Sequence, residues 1–164
     1  MFKHLDQFFQ QARESVVMFD AWVATFAPDA VADHLCYKCS SRDEFEAIRA
    51  LFETDSAFIY QSIISNRRIA IIKFLAPIPS SLGDIWFLEL SDQKPDNSQK
   101  DGFDHIEICS TKDPHDDFIL KFEKAGEKVV KVERPHHTTC DIQLASGFEV
   151  KLTKEFLIEK IKRE

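Results

Sequence analysis

Two Asp-His pairs set the chemistry open to this chain. Asp33-His34 and Asp104-His105 stand 71 positions apart in 164 residues, and each opens an alternating stretch, DHLCYKCS and DHIEICS. Side chains two apart on a strand share a face, so His34 groups with Cys36 and Lys38, and His105 with Glu107 and Cys109. Two later segments also match, FLEL at 87–90 and EVKL at 149–152, bringing Glu89 and Lys151 to equivalent places with Glu149 on the face of Lys151. A wholly apolar interior has no use for histidines and carboxylates at matching strand positions. They predict a polar cavity, where imidazole and carboxylate can hold an ion or move a proton.

The elements that must position these residues repeat as well. An amphipathic helix is expected over residues 2–26, with Phe2, Leu5, Phe8, Phe9, Ala12, Val16, Phe19 and Val23 at helical spacing. It ends at Pro28, a helix breaker. A strand (31–40), a helix (42–53) and three strands (57–65, 68–75 and 84–90) follow, closed by the turn-rich SDQKPDNSQKDG. The second half runs in the same order: strand 102–110, a helix ending at Gly126, then strands in EKVVKVE, TTCDIQLA and GFEVKLT. A last helix is expected over 153–163. The fold expected is α+β: two tandem βαβββ modules (29–92 and 102–155) forming a curved, partly open mixed barrel around a cleft. The first helix (1–28) packs outside it, and a C-terminal helix (153–164) closes the 29–164 domain.

Bulk properties narrow the functions. At 164 residues a single domain buries roughly 70% of its unfolded surface, and 44% hydrophobic content with 15 phenylalanines supplies the core. A net charge of −7 with scattered basic residues speaks against nucleic acid, whose affinity rests on neutralised phosphates. The N-terminus, MFKHLDQFFQQARESVV, has neither signal nor transit character, and no apolar run is long enough to span a membrane. The expected location is the cytosol.

Other candidates carry less. Cys36 and Cys39 form a C-x-x-C, but strand alternation sends them to opposite faces, so they read as reduced structural cysteines. His136-His137 read as a solvated loop, and His4 and His115 as helix-surface residues. The chain has no G-x-S-x-G, P-loop, G-x-G-x-x-G or H-E-x-x-H.

The duplicated βαβββ order, with a histidine on strands one and five and an acid on strand four, resembles the vicinal oxygen chelate superfamily, which includes glyoxalase I and the extradiol dioxygenases. The segments ADHLCYKC, SNRRIAIIKF, WFLELSD, DGFDHIEIC and GFEVKL resemble the YecM-like family more closely, over roughly residues 30–155. The resemblance implies a divalent metal (Zn, Ni, Mn or Fe) held by His34, Glu89 and His105. Its fourth ligand position falls on Lys151, whose ammonium has no lone pair to give. Beside the metal, Glu107 is a candidate acid/base. Lys151 is a candidate base or substrate-carboxylate anchor, and Arg67 and Lys73, of one parity, are candidate anion contacts.

Two functions stay open on this reading. One is a metal-dependent enzyme (lyase, isomerase or dioxygenase) acting on a small oxygen-rich molecule. The other is a metal-free module that binds a small molecule in the same cleft without catalysis. With both modules in one chain a monomer can form the cleft, and a homodimer stays open.

Overall fold

The computed structural model describes residues 2–26, 28–133 and 138–163, so the His136-His137 pair lies outside the described residues. The first helix, α1 (Leu5–Phe26), buries Phe8, Ala12, Val16, Phe19, Trp22 and Val23, the stripe its periodicity predicts. Module one follows as β1 (Ala30–Lys38), α2 (Arg42–Leu51), β2 (Ser56–Ile64), β3 (Arg67–Ser80) and β4 (Gly83–Ser91). Module two repeats it as β5 (Gly102–Ser110), α3 (His115–Lys124), β6 (Val129–Glu133), β7 (Thr138–Gln143) and β8 (Glu149–Thr153). A short α4 (Leu157–Ile161) comes last.

Local chemistry sets the helix ends. Ser41 caps α2 by accepting the Glu44 amide at 3.1 Å, the first half of an S-x-x-E capping box. After α3 the chain turns at Gly126, with φ at +95°. Its amide donates to Glu123 O and that of Glu127 to Phe122 O, both at 3.0 Å, a Schellman closure that glycine adopts at least cost.

The eight strands form one mixed sheet in the order β2-β3-β4-β1-β5-β8-β7-β6. β1 and β5 meet antiparallel at its centre, and each pairs in parallel with the last strand of its own module, β4 or β8. The sheet stays open, with β2 and β6 as edges. One face is apolar: Leu35, Ile72, Leu88, Ile106, Ile108 and Val150 meet α1, α2 and α3 in a single core. A full burial of one such side chain contributes roughly 1.5–3 kcal/mol. This weight on one face frees the other for polar groups.

Two element bounds differ from the sequence reading by four residues or more. The last helix starts at Leu157, because Thr153 is still paired with Cys109 in the sheet and Phe156 is extended at φ −67° and ψ 143°. β3 runs on past residue 75 to Ser80, with its pairing to β4 interrupted between Lys73 and Ile78. Extended backbone of this kind accommodates Pro77 and Pro79 beside a break in pairing.

Candidate metal centre

Strand register lays the polar residues in two adjacent rows across the open face. One row runs Lys73, Phe87, His34, Glu107, Lys151, Asp141 across β3, β4, β1, β5, β8 and β7. The next runs Ile71, Glu89, Cys36, His105, Glu149, Gln143. Neighbouring strands lie roughly 4.8 Å apart, so row neighbours are in side-chain reach.

Both histidines are seated by the same irregularity. Between β1 and β5 the pairing steps from Ala32↔Ile108 to His34↔Glu107, which leaves Asp33 as an extra residue on β1. It steps again from Cys36↔His105 to Tyr37↔Phe103, leaving Asp104 extra on β5. A bulge re-aims the side chain it inserts. Asp33 Oδ2 thereby stands 3.0 Å from His34 Nδ1, and Asp104 Oδ2 2.7 Å from His105 Nδ1. A carboxylate on Nδ1 favours the proton there and leaves Nε2 free as a donor, the support that histidine ligands of metals usually have.

The freed nitrogens face carboxylates. His34 Nε2 lies 3.8 Å from both Glu89 Oε2 and Glu107 Oε1, and His105 Nε2 lies 3.8 Å from Glu107 Oε1. His34 is fully buried, and its Nε2 has no hydrogen-bond partner among the described residues. Donor atoms sharing an ion at roughly 2.1 Å stand about 3–4 Å apart, so these gaps suit a cation. His34, His105 and Glu107 bring donor atoms within 4.8 Å of one another, as do Cys36, Glu89 and His105, and Asp104, His105 and Glu149. Glu89 therefore reaches the centre from the Cys36 side, and Glu107 sits between the two histidines. The donor set of imidazole nitrogens and carboxylate oxygens fits a divalent first-row ion.

The electrostatics favour positive charge here. Burial opposes an imidazolium at His34, yet Glu107, the Asp33 hydrogen bond and the charges of Asp33 and Glu89 together raise its pKa to about 9. Burial likewise opposes the Glu107 carboxylate, but His34, Lys160, His105 and Lys151 hold it below its usual range. Lys151 is clamped by Asp141 Oδ2 at 2.8 Å and Glu149 Oε2 at 3.1 Å. Those bonds and charges outweigh its burial and keep its pKa raised.

The two remaining basic candidates separate. Arg67 and Lys73 share a parity on β3 but sit six residues apart, roughly 20 Å along a strand. Arg67 Nε donates to Ser91 Oγ at 3.0 Å. Lys73 Nζ lies 5.8 Å from the centroid of the Trp86 ring, in the row of His34 and Glu107. α4 lies across module one's part of this face, with Leu157 against Ile69 and Ile71. Its Leu157 amide donates to Asp33 Oδ2 at 2.7 Å, and Lys160 Nζ is 3.8 Å from Glu107 Oε2. A groove of about 570 Å³ bordered by Phe2, Gln7, Tyr37, Glu44 and Asp101 lies toward α1, away from the histidines.

Strand parity in the sequence already put Cys36 beside His34 and Glu107 beside His105. The supporting roles of Asp33 and Asp104 and the Asp141 clamp on Lys151 have no such signal, since each depends on the pairing of separate strands.

Comparison with known proteins agrees with this architecture. Residues 1–156 match the YecM protein family. No curated protein sequence matches the chain. Among solved structures, a structural-genomics target described as Protein EC4020 superposes with a TM-score of 0.71 at 18% identity, covering 92% of this chain and 87% of that one. Methylmalonyl-CoA epimerase in complex with methylmalonyl-CoA and NH4+ gives a TM-score of 0.51 at 16% identity, over 79% of this chain and 96% of that one. The Streptomyces coelicolor methylmalonyl-CoA epimerase gives 0.50 at 18% identity, over 76% and 93%. With nearly its whole length matched and its two modules arranged as described, the chain belongs to the YecM protein family and has the vicinal oxygen chelate fold.

Proposed function

We propose that the protein is a divalent-metal-dependent enzyme acting on a small oxygen-rich molecule, with His34 and His105 as ligands and Glu107 and Glu89 completing the donor set. The observation that carries this reading is the orphaned, fully buried His34 Nε2, held between two carboxylates while Asp33 fixes the opposite side of its ring. A bound ion would polarise a substrate oxygen or lower the pKa of a water. Everything else is the work of the chain. Asp33 and Asp104 orient the two rings. Whichever of Glu107 and Glu89 is not engaged as a ligand moves a proton at the substrate, and Glu107 is the better insulated from water. Lys151 acts as a fixed positive charge rather than a base, since two carboxylates hold its proton in place. Lys73 is the basic group in line with the centre for an anionic substituent.

A metal-free binding cleft is the second reading, favoured by one observation: a protonated His34 also satisfies Glu89 and Glu107. Metal content separates the two. Protein purified without a histidine tag or chelator is expected to carry close to one ion per chain, and His34→Ala and His105→Ala to carry none. Trace metal in all three proteins, with no thermal stabilisation by Zn, Ni, Mn or Fe(II), would leave the binding cleft as the function.

A further inference from the structure

Cys36 lies on β1 directly between Glu89 of β4 and His105 of β5 in the register, so ligand-type groups stand abreast on three neighbouring strands. Its Sγ is 3.5 Å from Glu89 Oε1, and donor atoms of Cys36, Glu89 and His105 fall within 4.8 Å of one another. The thiol is fully buried. Into the same space points the unpartnered Nε2 of His34, 3.8 Å from the other oxygen of Glu89. At the place on β8 equivalent to Glu89 on β4, Lys151 is turned to Asp141 and Glu149.

We infer that Cys36 is a thiolate ligand of the centre, supplying from β1 a soft donor beside Glu89 and His105 and selecting a zinc- or cobalt-like ion over Mg, Ca or Mn. This rests on the metal reading above. Thiolate sulfur is a soft donor that favours Zn, whereas a set of oxygens alone suits the harder ions. Coordination breaks the S–H bond and forms a metal–sulfur bond, with the proton released to solvent and no change of oxidation state. The other cysteines do not compete. Cys39 and Cys140 belong to the apolar core on the helical face, and Cys109 Sγ is paired with Thr153 Oγ1 at 2.9 Å. C-x-x-C is thus not a chelating pair here, and its first member alone faces the centre.

The test is Co(II) binding to metal-free, untagged protein, read as bound cobalt per chain and as near-ultraviolet thiolate-to-cobalt absorption. Wild type and Cys109→Ser are expected to bind about one Co(II) with the thiolate band. Cys36→Ser should bind at least roughly tenfold more weakly and without the band. Wild type that binds cobalt with no thiolate band, or Cys36→Ser with an unchanged band, overturns the inference while leaving the metal reading in place. Wild type that binds no cobalt and no zinc removes both. X-ray absorption of zinc-loaded wild type needs no variant: a sulfur near roughly 2.3 Å supports the assignment, and a shell of nitrogen and oxygen alone refutes it.

Discussion

The two modules agree at their first strand and part at their last. β1 and β5 carry the same device, a bulged aspartate that braces the histidine after it, at 3.0 Å in one and 2.7 Å in the other. Even here the outer partners differ. Asp33 takes its second hydrogen bond from the Leu157 amide of α4, and Asp104 pairs with Lys38 Nζ at 2.6 Å. At the last strands the copies diverge fully. Glu89 on β4 turns its carboxylate to the centre, whereas Lys151 on β8 is neutralised by Asp141 and Glu149. The open face follows suit, with Ile69, Ile71 and Leu157 packed in module one and a buried ion-pair cluster in module two. The two modules share matching histidine cradles and differ in what the last strand offers: one arm turns a carboxylate to the candidate centre and the other carries fixed charge.

The largest effect should come from the diverged strand. Lys151→Met strands Asp141, whose Oδ1 already lacks a hydrogen-bond partner among the described residues, and should cost about 3–5 kcal/mol in urea unfolding. Glu89→Gln, at a partly exposed carboxylate, should cost less than about 1 kcal/mol of stability while weakening metal binding. Equal stability losses would erase the contrast between β4 and β8.

The matching cradles should respond alike to a smaller change. Asp33→Asn and Asp104→Asn should each weaken metal binding by about 10–100-fold by calorimetry. Hydrogen exchange sharpens the comparison, because only Asp33→Asn should speed exchange at the Leu157 amide.

A separate effect is a slope with pH. With Asp33, Glu89 and Glu107 facing it, His34 has a folded pKa of about 9, raised from 6.5. The folded state then binds more protons than the unfolded one between those values. The stability this gives metal-free protein is fully present below about 6.5 and is lost as pH rises through about 9. Thermal melts across that window should show the fall, and His34→Gln should flatten it.

Much of this was legible before any coordinates. His34 and His105 announced themselves because a duplicated Asp-His at equivalent strand positions has few apolar explanations; parity placed Cys36 and Glu107 beside them, and the matching last strands brought in Glu89. The bulges were not legible, since an extra residue on a strand exists only relative to its partner. Nor was the fate of Lys151, which is set by Asp141 on a different strand. A last helix was expected, but the place of α4 across the open face escaped because its anchor, the bond from Leu157 N to Asp33, spans 124 positions. Local pattern carried the elements and their faces, and pairing decided which groups meet.

The bulges also change what a gene can lose. Dropping one codon inside a strand ordinarily turns every later side chain to the wrong face and ruins the domain. Codons 33 and 104 are exceptions, because removing a supernumerary residue would restore regular pairing and leave Leu35, Ile106 and the rest of the core where they are. The protein would keep its fold while one imidazole lost its brace. A lineage could retire this centre by a single in-frame deletion and keep the domain for other use.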